Sequence, residues 1–262
     1  MKSRKESKIG QCILCLKEKT LCESHIIPEF WFQPLYHNHK FIQPKMDKKL
    51  GVEIYQKGIK EPMLCAECEG FLNTTYEQPI HQFWKENIKV TDIKESKNSH
   101  FVLQNLDYTI FKLYHLSILW RAHHSENRMF EKVNLGEKHE KILREMILTN
   151  NPGEETDYPI FGSILFRDKA GEVMIDLMIN PIRVKTQDGH SAYKFLYGGV
   201  SWWIGVSSHI RLEENSTSLN RDGRMILHKS YLEDDPRVVK LIENWFEKFQ
   251  ELPKSLLVEK GV

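Results

Sequence analysis

The chain has 262 residues, of which 40% are hydrophobic and 11% aromatic, and its formal net charge at pH 7 is +1. This composition supports one large globular domain or a few small ones, and it excludes an intrinsically disordered protein. The small net charge gives no whole-molecule attraction to nucleic acid. Residues 1–60 differ, because they carry twelve lysines and arginines against six acidic residues. Such a segment either attracts phosphates or forms a lysine-rich solvated surface.

We recognise no targeting or membrane segment in the sequence. The first nine residues are rich in charge, and no apolar stretch typical of an export signal follows them. The most apolar helical run, residues 108–120, is interrupted by Lys112 and His115. It is also shorter than the ~18–20 residues that span a bilayer. We therefore expect a cytoplasmic protein with no membrane partner.

Four of the five cysteines form two C-x2-C pairs, Cys12 with Cys15 and Cys65 with Cys68. An odd cysteine count in a chain without an export signal argues against a disulfide framework. Two such pairs supply four thiolates from two tight turns, which is the ligand set of a tetrahedral structural zinc site. Cys22 is expected to be a small buried strand residue outside this site. Thiol redox chemistry is the alternative.

Different elements follow the two cysteine pairs. Residues 16–30 are strand-like in their middle and are stopped by Pro28. Residues 69–88 place apolar side chains at three- and four-residue steps, which is typical of a helix. We call the turn that carries each C-x2-C pair a knuckle. A treble clef has this order of elements: a knuckle, a hairpin, and a second knuckle from which a helix begins. We therefore predict an α+β protein in which residues 1–88 form a zinc-bound treble clef.

A helical middle is predicted for residues 89–150. Residues 105–126 are apolar on most faces, which indicates a central buried helix, and residues 137–148 are amphipathic. Arg121, within the buried helix, is most simply an internal ion-pair partner, with a phosphate contact as the alternative.

A β-rich α+β domain with a final helix is predicted for residues 151–262. Short alternating strands are separated there by turn residues. Asp235 and Pro236 mark the start of the final helix. We expect this part to be a target-binding scaffold, a sensor or an oligomerisation module.

The order of the amino-terminal motifs resembles the zinc-ribbon branch of the HNH, or ββα-metal, nucleases. The matching pieces are the C-x2-C pair at 12–15, SHIIP at 24–28 and LCAECE at 64–69. The SHIIP form is similar to a bacterial group of zinc-containing, HNH-like proteins. The resemblance covers about residues 10–85, and it implies a ββα-metal fold and metal-dependent hydrolysis of DNA phosphodiester bonds.

The resemblance also implies roles for single residues. His25 corresponds to the general base, which takes a proton from water. Glu69, directly after the second cysteine pair, corresponds to a ligand of a catalytic Mg2+ or Mn2+. The family's acidic ligand before the histidine is replaced here by Ser24. Glu23 lies one residue further back, on the opposite face of the strand, and substitutes only if the strand is bulged.

Two further candidates lie along the helix. Asn73 and Glu77 follow Glu69 at one and two turns, on about the same helical face. The asparagine that the family places before the third cysteine falls at Lys60 and is not matched. His25 and Glu69 each have a structural alternative to a catalytic role. In that alternative His25 is a hydrogen-bonded core residue, and Glu69 is an acidic residue that stabilises the first turn of a helix.

Two functions from different classes follow from these residues. The first is a zinc-stabilised HNH-like endonuclease acting on DNA, with RNA as a second candidate substrate and with a defence or toxin role implied by the resemblance. The alternative is a catalytically inactive zinc module that binds nucleic acid or a protein partner, including a second copy of this chain. Convergence of His25, Glu69 and an oxygen of Ser24 or Glu23 beside a cleft favours the first.

Overall fold

The computed structural model describes residues 8–36, 40–44, 52–87, 100–167, 171–186, 189–207, 210, 212 and 216–234, with single positions between 236 and 250. Within these residues the protein is a mixed α+β structure with three sheets. A small sheet belongs to the amino-terminal third, and a six-stranded sheet forms a β-rich carboxy-terminal half. The predicted α+β class and the β-rich end are confirmed.

The amino-terminal unit contains a three-stranded sheet in the order β1–β2–β5. β1 (Ile9–Gln11) pairs antiparallel with β2 (Glu18–His25), and β2 pairs antiparallel with β5 (Lys60–Cys65). The register between β2 and β5 passes over Met63, so the extra residue of the bulge lies in β5. β2 therefore keeps its alternation of faces.

The long connection between β2 and β5 contains its own hairpin. β3 (Lys40–Pro44) pairs antiparallel with β4 (Val52–Gln56). Before it, the chain makes two short 3-10 turns, Glu29–Trp31 and Gln33–Leu35, after Pro28 has ended the extended segment.

One continuous helical run follows β5. α1 (Ala66–Leu72) passes into a π-helical turn, Asn73–Glu77, and then into α2 (Gln78–Asn87). Besides Cys68, the buried side chains of this run are Leu72, Tyr76 and Ile80, which belong to the predicted apolar face. A π turn adds one residue to the helical repeat. Residues after the turn therefore lie on a different face, relative to α1, from the one that a regular α-helix would give them.

α3 (Tyr108–His124) is the central helix of the fold, as the sequence predicts. Its buried residues cover nearly all of its faces, from Tyr108 to Ala122. The helix begins at Asp107, whose carboxylate accepts a hydrogen bond of 2.9 Å from the Ile110 backbone N–H. α4 (Gly136–Leu148) is amphipathic and packs against α3.

The large sheet has the order β6–β11–β7–β10–β9–β8. Its strands are β6 (His100–Leu103), β7 (Ile160–Phe166), β8 (Ile179–Lys185), β9 (Ser191–Tyr197), β10 (Val200–Val206) and β11 (Met225–Tyr231). All neighbouring strands are antiparallel except β11 and β7, which are parallel. β6 lies in the stretch for which the sequence predicts helices, and it is extended because it pairs with β11.

One buried cluster contains residues of all three predicted segments, 1–88, 89–150 and 151–262. It extends along the chain from Cys12 to Leu227. The boundaries between the three segments remain predictions, and a common core crosses them.

Trp31 joins the amino-terminal unit to this core. Its Nε1 donates a hydrogen bond of 2.5 Å to the Tyr114 hydroxyl of α3. Its ring lies directly against Gly198 in the turn between β9 and β10, where φ is +63°. A side chain at that position would meet both a strained backbone and an aromatic ring.

The end of the chain is described at single positions. These are helical at 236, 239, 240, 243, 244, 247 and 250, in agreement with the predicted final helix. The predicted start at Asp235 lies outside the described residues. Of the helices that the structure describes, none combines the length and apolarity needed to cross a bilayer.

Candidate metal centre and the site around His25

The four paired cysteines come together in one cluster. The sulfur atoms of Cys12, Cys15, Cys65 and Cys68 all lie within 4.8 Å of one another. The Sγ atoms of Cys15 and Cys65 are 3.9 Å apart. A tetrahedral ion with bonds of ~2.3 Å separates its sulfur ligands by ~3.8 Å, so this donor set fits a four-thiolate metal centre. The predicted grouping of these cysteines as a cluster that can hold a metal ion is confirmed.

Tight backbone turns present these thiols. Leu16 closes the first knuckle at φ +61°, and its N–H donates to the Cys12 carbonyl oxygen at 2.8 Å. At the second knuckle the Cys65 N–H donates to Cys12 Sγ at 3.3 Å. Burial raises the pKa of Cys65, but hydrogen bonds from Cys68 and the neighbouring thiols outweigh it and bring that pKa to about 7. Burial raises the pKa of Cys12 and of Cys68, so these two thiols need the charge of a bound metal ion to ionise.

Cys22 lies outside the cluster, as the sequence predicts. It is a half-buried residue of β2. Burial raises the pKa of its thiol, and the negative charge of Glu69 acts in the same direction. The protonated thiol is therefore favoured, which suits neither a metal ligand nor a reactive cysteine.

His25 ends β2, and a backbone carbonyl orients its ring. Nε2 lies 2.8 Å from the Lys57 carbonyl oxygen. A neutral ring that donates from Nε2 keeps Nδ1 unprotonated. Lys57 and Gly58 have φ values of +62° and +74°, and this turn directs the carbonyl toward the ring. A Cβ on Gly58 would lie 3.0 Å from a carbon of the Phe32 ring and 3.2 Å from His25 Cδ2, so glycine leaves room for both.

The surroundings of His25 favour its neutral form. Burial lowers its pKa most, and the charge of Lys60 acts in the same direction. The hydrogen bond to Lys57 and the carboxylates of Glu77 and Glu29 raise the pKa, but by less in sum. The side chain is 18% exposed, so the ring is not sealed in the core. A neutral, partly accessible imidazole is what a general base requires.

On the opposite face of β2, Ser24 lies near Glu69 of α1. Ser24 is fully buried, and its hydroxyl donates to the Cys22 carbonyl oxygen at 3.4 Å. Burial raises the pKa of Glu69, while the nearby Ser24 hydroxyl, which can donate either to Glu69 or to Cys22, and the charge of Arg121 lower it by less. Glu69 Oε2 is buried, and no hydrogen-bond partner for it lies among the described residues. A buried carboxylate oxygen of this kind fits the ligand of a hard cation.

The convergence of His25, Glu69 and Ser24 beside a cleft is not observed among the described residues, because Ser24 and Glu69 lie on the face of β2 opposite to His25. Two further predicted site residues lie apart from Ser24 and Glu69. Glu23 is exposed whereas Ser24 is buried, so the alternation of β2 separates them as expected. Asn73 is exposed at the start of the π turn. Within the described part of the chain, the cysteines form the one group of three or more potential ligand residues whose ligand atoms lie close enough to share an ion.

Arg121 of α3 binds both the helix and the end of β2. Its Nη1 donates to Glu77 Oε1 and to the His25 carbonyl oxygen, each at 2.7 Å. Its Nε donates to the Ser117 carbonyl oxygen at 3.3 Å. The predicted internal ion-pair role of Arg121 is confirmed, and the Glu77 carboxylate is engaged in that pair.

Sequence reasoning missed the Lys57 carbonyl as the partner of His25. The lysine–glycine dipeptide before β5 indicates a turn, but it does not show where that turn directs its carbonyl. A cavity between α2 and the large sheet is lined by Trp84, Phe101 and Val173 among others, and its lining includes none of the candidate site residues.

In comparisons with known proteins, the chain matches no protein-family model, no curated protein and no solved structure, so its function has to be argued from the geometry of the site.

Proposed function

We propose that the chain is a zinc-stabilised, metal-dependent endonuclease of the HNH type, which hydrolyses phosphodiester bonds of DNA. Its amino-terminal unit is then a treble clef in which both cysteine knuckles bind Zn2+ and α1 follows the second knuckle. The observation that carries this proposal is the orientation of His25. Its Nε2 is held 2.8 Å from the Lys57 carbonyl oxygen, which leaves Nδ1 to accept a proton.

In this reaction His25 receives the proton of the attacking water. As the water oxygen bonds to phosphorus, its proton passes to His25 Nδ1, and the bond from phosphorus to the 3′-oxygen breaks. The leaving oxygen takes a proton from solvent, so the products are a 5′-phosphate and a 3′-hydroxyl. Bound Mg2+ or Mn2+ would stabilise negative charge on the phosphate and the leaving oxygen. Glu69 is the residue that fits as its ligand, because its Oε2 is buried and has no hydrogen-bond partner among the described residues. Ser24 lies near Glu69 but is fully buried on the face of β2 opposite to His25, so it is the weaker candidate.

Zinc is the proposed occupant of the cysteine cluster. Four thiolates saturate a tetrahedral ion, so this centre has no open position for substrate and stabilises the fold. The biological setting, a cytoplasmic role in bacterial defence or as a toxin, is proposed on the resemblance of the SHIIP segment. DNA is the proposed partner, and RNA is the second candidate.

Substitution of His25 tests the catalytic proposal. In a plasmid-cleavage assay with Mg2+ or Mn2+, His25→Ala is expected to lower the single-turnover rate by ~10²–10⁴-fold. Zinc content and melting temperature should match the parent. His81→Ala is the matched control, because His81 is exposed and stacks on the Phe30 ring. If His25→Ala cuts as fast as the parent, His25 is structural.

A catalytically inactive zinc module that binds nucleic acid or a protein is the second candidate function. Two observations favour it. Ser24 is fully buried, and the Glu77 carboxylate is engaged by Arg121, so Glu69 has little help in holding a second cation. A parent chain that binds DNA but never cuts it, with Mg2+ or with Mn2+, would select this function.

A further inference from the structure

A cationic side chain lies beside His25. Lys60 is the direct antiparallel partner of His25. The Cα atoms of such partners are ~4.5–5.5 Å apart, and their side chains share one face of the sheet. The neighbouring pair, Ser24 with Glu61, points to the opposite face. There Ser24 is buried and Glu61 accepts a hydrogen bond of 2.9 Å from the Ser125 hydroxyl.

The side chain of Lys60 is available to an external anion. Lys60 is half-buried, and none of the ion pairs formed within the described residues includes it. Its positive charge lowers the pKa of His25 and of Glu69. Lys60 is therefore close enough to interact electrostatically with His25, the proposed proton acceptor, and with Glu69, the proposed cation ligand. Lys57, exposed on the turn before β5, adds a second positive charge three residues away.

We propose that Lys60 is a further catalytic residue, which contacts a non-bridging oxygen of the phosphate that His25-activated water attacks. This inference rests on the proposed function and specifies how that site binds the nucleic-acid backbone. Lys60 stands where the resemblance leads one to expect an asparagine, so the contact belongs to this chain and is not carried over from the resemblance.

An ammonium in this place has two effects. In the bound state, one phosphate contact releases a counterion, so affinity depends on salt concentration. In the transition state the phosphate gains negative charge, and a fixed cation in a partly desolvated site stabilises that charge more than the charge of the substrate. Because Ser24 replaces an acidic ligand, the site binds a divalent cation weakly. The ammonium of Lys60 then supplies part of the positive charge that a tightly bound cation would place beside the phosphate.

The test compares Lys60→Gln and Lys60→Arg with the parent chain. The probe is a short fluorescein-labelled DNA duplex, measured for binding without divalent ions over a range of salt concentrations, and for single-turnover cleavage with Mn2+. At ~0.1 M salt, Lys60→Gln is expected to bind about 5–10-fold more weakly, with a salt slope smaller by about one. Its cleavage rate should fall ~10²-fold, as for loss of one donor to a developing anion.

Lys60→Arg should keep most of the binding, because it preserves the charge. Lys17→Gln is the matched control, since Lys17 is an exposed lysine of the first knuckle, and it should behave as the parent does. Zinc content and melting temperature verify folding of each variant. If Lys60→Gln does not fold, Lys60→Thr replaces it, because threonine favours strands.

The outcomes separate this inference from the nuclease proposal. If the parent cuts and Lys60→Gln binds and cuts equally well, the inference is wrong while the role of His25 is untouched. If the parent binds but never cuts, and Lys60→Gln still weakens binding, catalysis is wrong and the phosphate contact stands. A parent that does not bind the duplex overturns both.

Discussion

Arg121 and Glu77 form a buried ion pair in which 2.7 Å separates Nη1 from Oε1. The same Nη1 donates to the His25 carbonyl oxygen, so one guanidinium connects α3 to the end of β2. Only 1% of the Arg121 side chain and 16% of the Glu77 side chain are exposed. Removing one partner leaves the other charge buried without compensation, which costs far more than the pair itself contributes.

We therefore expect Arg121→Met to lower the free energy of unfolding by ~3–5 kcal/mol. The double variant Arg121→Met/Glu77→Gln should recover part of this loss, because it no longer buries an unpaired carboxylate. Guanidinium unfolding followed by circular dichroism measures both values. If Arg121→Met costs less than ~1 kcal/mol, the pair behaves as an exposed one and is not buried in solution.

Loss of a single cluster thiol is expected to release the zinc ion that we propose the cluster binds. Cys65→Ser should purify without metal and unfold at least the amino-terminal third, because the free energy of metal binding is part of the folding energy of such a unit. Cys22→Ser, which alters the cysteine outside the cluster, should keep one zinc per chain. Elemental analysis and thermal melting provide the measurements. A folded parent chain that contains no zinc would contradict the proposal that the four cysteines bind this metal.

Glu69→Gln is expected to reduce cleavage more than Asn73→Ala or Glu77→Gln does. The amide keeps the shape of Glu69 but removes the charge that offsets dehydration of a divalent cation. Mg2+ should bind weakly in the parent, and Mn2+ should support cleavage better because it accepts nitrogen and carboxylate ligands more readily. Cleavage rates titrated against each ion test this. Full Mg2+-dependent cleavage by Glu69→Gln would show that Glu69 is no ligand.

Lys112 is expected to make stability depend on alkaline pH. Its Nζ donates to the Tyr108 hydroxyl at 2.9 Å and to the Glu154 carbonyl oxygen at 2.5 Å. Burial lowers its pKa to about 8, whereas an unfolded lysine titrates at ~10.4. Between these values the unfolded chain binds more protons than the folded chain. The contribution of Lys112 to the free energy of unfolding therefore rises with pH in this window and is lost as pH falls through 8.

The variant Lys112→Met isolates this effect. The difference in unfolding free energy between parent and variant should shift in favour of the parent from pH ~8 to ~10, by up to ~1.4 kcal/mol for each pKa unit. Tyr108, the hydroxyl partner, stays protonated in this range because burial raises its pKa to about 12. Urea unfolding at several pH values measures the difference, and a difference that does not change with pH would contradict the assignment.

The parts of the site that depend on short spacing were predictable from sequence. Two C-x2-C pairs fix the thiols of each knuckle through local turns, so the cluster follows once β2 and β5 pair. The contacts of His25 were not predictable. Its ring partner, Lys57, is 32 residues away, and its carbonyl partner, Arg121, is 96 residues away. Both depend on tertiary packing and on a left-handed backbone at a lysine, for which the residue type gives no signal.

The fold shows the same division. β7 to β11 coincide with alternating apolar segments bounded by turn residues, so local patterning was sufficient for them. The same pattern at 172–178 is not a strand, because these residues form only an isolated bridge at Val173 and a turn. β6 has no such local signal within a stretch of helical character. It is a strand because β11 pairs with it, from Met225 opposite Leu103 to His228 opposite His100. Strand formation that depends on a partner more than a hundred residues later cannot be read from a short window.

Because β11 lies inside the large sheet, between β6 and β7, that sheet can be completed only late in synthesis. All four cluster cysteines have been made once Cys68 is added, so the proposed metal centre has every ligand early. β6 and β7 are made next, but the strand that joins them ends at Tyr231. Until then each has an unpaired edge, which is where a growing chain associates most readily with other chains.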